Sequence, residues 1–170
     1  MKLIFLDIDG VFNSDSWYKR REELGLNLED RVQCDFDPNC VVRFNRIIEQ
    51  TEAKVIVSSC WRNGSLQYLK DLFKEIGLNG EVIGETPRLS WECKYPGVTI
   101  PRGVEIKAVL NKMNYPVFEW STVTTEVENY VIIDDDSDML LEQKDHFVQT
   151  SWKYGLVDED VQKVISILDK

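Results

Sequence analysis

Two apolar runs in this chain stop abruptly on acids. Lys2–Leu6 (KLIFL) meets Asp7-Ile8-Asp9-Gly10-Val11, and residues 130–134 (YVIID) run into Asp135-Asp136-Ser137-Asp138. Unbroken Val/Ile/Leu runs are strands buried on both faces, because an alternating polar residue would have to enter the core. Residues 54–58 (KVIVS) form another such run and end in Ser58-Ser59-Cys60-Trp61-Arg62. Residues 81–84 (EVIG) and 146–150 read as shorter strands.

Between these runs the period changes to that of a helix. Val41, Phe44, Ile47 and Ile48 share one face, as do Leu66, Leu69, Leu72, Phe73 and Ile76. Ile106, Val109, Leu110 and Met113 form another set, and Val161, Val164, Ile165 and Leu168 a last one. Such i, i+3, i+4 recurrence marks amphipathic helices. Ser65 is placed to cap the second helix and Gly77 to stop it; Pro101 precedes the third and Asp158 opens the fourth. Strands alternating with helices make a parallel sheet covered on both faces, with right-handed crossovers. The expected fold is α/β, a doubly wound, Rossmann-like domain of about five strands over residues 1–170. Residues 12–39 and 86–101 break the alternation and read as small insertions, and residues 114–129 fit no element.

Composition removes several classes. No run approaches the roughly 20 apolar residues of a membrane span. The opening MKLIFLDIDG meets an acid too early for a secretory leader. The formal charge of −10 opposes a general nucleic-acid binder, which needs cations along the phosphate backbone. Cys34, Cys40, Cys60 and Cys93 form no CxxC pair and lie far from His146, so a zinc site is not expected. Free thiols and no leader point to the cytoplasm.

In a doubly wound sheet, ligands sit beyond the carboxyl ends of the strands. That edge here carries Asp7, Asp9, Asp134, Asp135 and Asp138. Carboxylates packed together resist common ionisation, and a bound divalent cation removes the conflict. All-oxygen ligands with open positions suit Mg²⁺.

DIDGV after an apolar strand, a Ser ending the next long strand, a basic residue opening a later helix and the acidic IIDDDSD together resemble the haloacid dehalogenase (HAD) superfamily over nearly the whole chain. SSCWR, RGVEI, DDDSDM and TSWKYGL are similar to the HAD domain branch of "Swiss Army Knife" RNA-repair proteins. The resemblance implies a phosphatase in which Asp7 attacks phosphorus. Asp9 would serve as acid and base, and its main-chain carbonyl as a metal ligand. Gly10 permits the bend that brings both acids to one place. Ser58, or Ser59 after a one-residue shift, would bind a phosphoryl oxygen. Arg102 would hold charge on the phosphoryl group, with Lys107 and Lys94 as alternatives. Asp135, then Asp134, would bind the metal, and Asp138 would support the site from behind.

Trp61 and Arg62 stand where a leaving group would approach, and stacking with a guanidinium suits a nucleotide or nucleic-acid end. The competing reading packs Trp61 in the core. Trp17 and Trp91 are further candidates for the same mouth. Cys60 reads as a packed small apolar group, His146 as the start of an edge strand, and Lys19-Arg20-Arg21 as a solvated helix face.

Neither insertion is long enough for a large cap, so the expected site is open. The favoured substrate is a phosphomonoester, as a nucleotide or a nucleic-acid 3′-phosphate gripped at its end without an extended footprint. The alternatives are a phosphatase for a small metabolite or phosphoprotein, and a non-catalytic Mg²⁺- or phosphate-binding module. Oligomeric state has no sequence signal here.

Overall fold

A computed structural model describes residues 1–26, 32–62, 64–92, 97–111 and 127–170. Five strands, β1 (Lys2–Leu6), β2 (Lys54–Val57), β3 (Val82–Glu85), β4 (Asn129–Asp134) and β5 (Phe147–Gln149), form one sheet in the order β3-β2-β1-β4-β5. Every neighbouring pair is parallel. The chain therefore steps outward from β1 to β3, then crosses back to build β4 and β5 on the other side of β1. The reversal between β1 and β4 is a topological switch point, where open α/β sheets bind ligands.

The helices are α1 (Asp15–Glu23), α2 (Pro38–Thr51), α3 (Leu66–Glu75), a short α4 (Leu89–Glu92), α5 (Arg102–Leu110) and α6 (Asp158–Leu168). Ser65 caps α3 by accepting from Tyr68 N, and Gly77 follows its end at φ +73°. Ser14 caps α1 through Trp17 N, a signal that lies inside the polar stretch and is masked there by charge.

The strand side chains divide by parity. Ile4, Leu6, Val55, Val57, Val131 and Ile133 meet α2, α3 and α6 on one face. Leu3, Phe5, Ile56 and Ile132 meet Ile106 and Val109 of α5 on the other. This second face carries the site, because Asp7 and Asp134 continue its parity beyond Phe5 and Ile132.

Several expectations shift. β3 starts one residue later than EVIG and ends on Glu85, and Ser58 lies just beyond β2. Residues 86–101, expected as an irregular loop, include α4. His146 does not start β5; it ends a 3₁₀ turn, Leu141–His146, and its ring stacks on Tyr130 at 4.2 Å. Arg21 leaves the solvated face expected for it. It is buried, bonded to the Cys34 carbonyl and paired with Asp35. Of residues 114–129, only 127–129 are described, and Asn129 opens β4. Among the described residues no helix is long and apolar enough to cross a membrane.

Candidate active site

The site begins with register. β1 and β4 pair Leu6 with Ile133, so the next residues, Asp7 and Asp134, emerge side by side, and Asp7 N donates to Ile133 O at 2.9 Å. Both side chains are almost fully buried, at 6% and 1% exposure. Asp135 completes a cluster in which one carboxylate oxygen from each of Asp7, Asp134 and Asp135 lies within 4.8 Å of the others. Gly10 makes room for it. A Cβ on Gly10 would stand 2.2 Å from Asp135 Cγ, and its φ of +66° favours glycine.

Burial and mutual repulsion set the charges. Burial pushes the Asp134 carboxyl up to about 8, with the neighbouring Asp7 adding to the rise. Asp7 is pushed up to about 6, chiefly by burial, against the lowering influence of Arg102, the Ser59 side chain and the Ile8 amide. Asp135 rises for the same primary reason, reinforced by Asp136.

Arg102 is the first residue of α5, on the face that Asp7 and Asp134 share. Its Nε lies 3.9 Å from Asp134 Oδ2. Asp138 Oδ2 accepts the Arg102 amide at 2.8 Å, so Asp138 fixes the end of the helix that carries the guanidinium. Buried Asp134 Oδ2 and Arg102 Nη1 find no hydrogen-bond partner among the described residues. Orphaned buried polar atoms are rare in folded chains. An orphan carboxylate oxygen within a cluster of three acids is what a hard cation would satisfy, and an orphan guanidinium nitrogen beside it is what a phosphoryl oxygen would satisfy. The donor set fits Mg²⁺ by its chemistry: it is all oxygen and carries excess negative charge.

Other residues sort themselves around this centre. Ser59 is fully buried at the Asp7 side chain and lines a cleft of about 310 Å³, with Cys60, Arg88, Arg102, Asp136 and Asp138. Ser58 Oγ instead faces Thr86 Oγ1 at 3.3 Å, so of the two serines Ser59 stands against Asp7. Asp9 stands outside the cluster of three. Its Oδ1 accepts from Asn13 Nδ2 at 2.7 Å and Trp61 Nε1 at 2.9 Å, and its Oδ2 faces Cys60 Sγ at 2.9 Å. Asn13 Oδ1 in turn accepts from Gly10 N, which ties the loop after β1 into one turn.

Three expectations need correction. Arg62 borders the cleft with Ser59 and Arg102, but its guanidinium is taken up by the protein itself. It is 6% exposed, and its guanidinium bonds to Ser59 O, Thr86 O, Pro87 O and Thr86 Oγ1, and pairs with Glu105 at 3.1 Å. Desolvation within that clamp lowers its pKa. Arg62 thus fastens the loops after β2 and β3 to α5, a role its place in SSCWR could not disclose. Cys60 is exposed and touches Asp9, where a packed apolar group was expected. Trp17 is buried with its Nε1 on the Cys34 carbonyl and does not line the cleft beside Ser59. Of the alternatives to Arg102, Lys107 pairs with Glu142 on the surface at 2.8 Å. Lys94 and the Trp91 side chain lie outside the described residues.

Asn13 and Glu105 have no place in the sequence reading. Asn13 had a faint signal, a turn-forming residue four after Asp9. Glu105 had none, because only the fold sets it against Arg62.

A parallel 3-2-1-4-5 sheet with acids after β1 and β4 at the reversal, a Ser after β2 and a basic residue opening the helix across them defines a HAD-type fold and site. The chain belongs more narrowly to the family described as "HAD domain in Swiss Army Knife RNA repair proteins", whose profile matches residues 3–161. Comparisons with curated proteins and with solved structures returned no match. Family membership supports phosphatase-like hydrolase chemistry in general.

Proposed function

We propose that this protein is a Mg²⁺-dependent phosphomonoester phosphatase working through an aspartyl-phosphate on Asp7. One observation carries the reading: buried Asp7 gathers two further acids, the Ser59 hydroxyl and the Arg102 charge around its carboxylate. That arrangement joins a nucleophile, a cation cage and donors for phosphoryl oxygens.

Asp7 attacks phosphorus, forming a new P–O bond as the bond to the leaving oxygen breaks. Asp9 gives its proton to that oxygen, which leaves as an alcohol. Asp9, now a carboxylate, takes a proton from a water that attacks the phosphorus of the aspartyl-phosphate. Inorganic phosphate departs, and both acids return to their starting states. Ser59 and Arg102 hold the phosphoryl oxygens; the Arg102 charge also favours the ionised Asp7 needed for attack. Asp7, Asp134 and Asp135, with the Asp9 main-chain carbonyl, would hold Mg²⁺. When bound, the cation neutralises the gathered negative charge of carboxylates and phosphate.

The favoured substrate is a nucleotide or a nucleic-acid 3′-phosphate end. The family's association with RNA repair supports this class. The charge of −10 limits any polynucleotide contact to its end. The free thiols Cys34, Cys40 and Cys60 suit a reducing cytoplasm.

The test is a substrate panel with Mg²⁺: an aryl phosphate, nucleotides, 3′-phosphorylated oligonucleotides, sugar phosphates and phosphopeptides. Hydrolysis is expected for the aryl phosphate and for the nucleotide or oligonucleotide members, and Asp7→Asn should abolish it. Equal rates for the two proteins would sink the mechanism. Cleavage confined to sugar phosphates or phosphopeptides would overturn the substrate class.

A further inference from the structure

The side chain of Asp9 is held asymmetrically. Two N–H donors from different parts of the chain converge on Oδ1: Asn13 Nδ2 at 2.7 Å, from the loop after β1, and Trp61 Nε1 at 2.9 Å, from the loop after β2. Oδ2 receives neither. It accepts only a weaker donor, the Sγ of exposed Cys60 at 2.9 Å, one of the residues lining the cleft beside Ser59 and Arg102.

Two donors on one carboxylate oxygen leave it little room for a proton of its own, since a third hydrogen would oppose the first two. The donors also fix the carboxylate plane. The Trp61 ring is itself braced, edge-on against Phe36 at 5.5 Å, and Phe36 packs on Phe12. The indole N–H thus comes from a rigid support and does not have to be ordered when substrate binds.

We propose that Trp61, with Asn13, is a positioning residue that aims Asp9, so that Oδ2 alone exchanges the proton with the leaving oxygen. The inference rests on the phosphatase reading and adds to it the atom that transfers the proton and the side chains that select it. In the bond-breaking step the proton moves from Asp9 Oδ2 to the departing oxygen, while Oδ1 keeps both N–H contacts throughout. The Cys60 thiol gives way to the leaving group at Oδ2. Trp61 therefore acts through Asp9, and neither the stacking role nor the core role expected of it describes its polar end.

A general acid matters in proportion to how poor the leaving group is. The test compares kcat/KM of Trp61→Phe with that of the unmodified protein on an alkyl phosphate and on dinitrophenyl phosphate, whose phenolate departs without a proton. The parameter kcat/KM reports the steps through aspartyl-phosphate formation, so later hydrolysis does not blur it. Phe keeps an aromatic ring to pack toward Phe36 and removes the N–H donor. A loss of roughly tenfold or more is expected on the alkyl ester, from a hydrogen bond to a charged group, with the aryl ester changed by less than about twofold. Equal loss on both esters, or none on the alkyl ester, overturns the proposal and leaves the phosphatase reading standing. Inactivity of the unmodified protein on both esters overturns the two together.

A second measurement reads the contact without catalysis. Five indole N–H signals are expected from the five Trp residues, and Trp61→Phe identifies one of them. That signal should move in Asp9→Asn and the other four should not. A Trp61 signal indifferent to Asp9 overturns the proposal.

Discussion

Gly10 lies directly against the Asp135 side chain, with no space for even a methyl group between them. The turn that follows β1 and the acidic loop that follows β4 are thereby packed into one structure. Gly10→Ala should cost about 1–2 kcal/mol from the left-handed backbone alone. It should also push Asp135 out of the cluster and weaken Mg²⁺ binding by about tenfold, in the range of lost coordination support. Calorimetric titration of the folded variant with Mg²⁺ reads this. Lower thermal stability with unchanged Mg²⁺ affinity would contradict the packing role.

The Arg62–Glu105 pair is buried on both sides, at 7% and 6% side-chain exposure. Removing one partner leaves an uncompensated charge in the interior. Arg62→Ala should destabilise by about 3–5 kcal/mol in urea unfolding. A single variant within about 1 kcal/mol of the unmodified protein, the range of an exposed pair, would show that the clamp carries little.

The buried acids make the metal-free protein sensitive to pH. Asp134 titrates near 8 and Asp7 near 6 in the folded chain, against 3.8 for an ordinary Asp. Both shifts are upward, so between these limits the unfolded chain has released protons that the folded chain retains. The stability these groups contribute is full below about pH 4 and is lost as pH rises through about 6 and then about 8. Melting in chelator should therefore show a fall between pH 5 and pH 8 that Asp134→Asn reduces, and Mg²⁺ should restore stability most at the upper end. An identical pH dependence in Asp134→Asn would count against the buried titration.

Much of this could be read from the residue order. The strands β1, β2 and β4 and the helices α3, α5 and α6 follow from apolar runs and periodicity, and Asp7 and Asp134 follow from the rule that chemistry gathers at strand ends. What stayed hidden depends on packing across elements. Arg62 looks available in SSCWR, and only the positions of Thr86, Pro87 and Glu105 turn it inward. Cys60 and Trp61 adjoin the motif serines, but their contact with Asp9 spans 51 and 52 residues of sequence. The choice between Ser58 and Ser59 turns on which hydroxyl faces Asp7 and which faces Thr86, a matter of one residue at the end of a strand.

Arg102 and Lys107 lie five residues apart on α5 in opposite circumstances. Arg102 sits near Asp134 with 17% side-chain exposure, whereas Lys107 pairs with Glu142 in solvent. Arg102→Ala should lower kcat/KM by about a hundredfold or more, the scale of losing a donor to developing charge. Lys107→Ala should change it by less than about twofold. A larger effect at Lys107 than at Arg102 would reverse the assignment of the basic residue.

The most direct measurement looks for the bond to Asp7. Rapid mixing with a radiolabelled phosphomonoester and Mg²⁺, followed by an acid quench, should leave label on the protein. That label should be released by hydroxylamine, as an acyl phosphate is, map to the peptide containing Asp7, and be absent in Asp7→Asn. Substrate turnover with no protein-bound label at any mixing time, or a label that persists in Asp7→Asn, would contradict an aspartyl-phosphate at this residue.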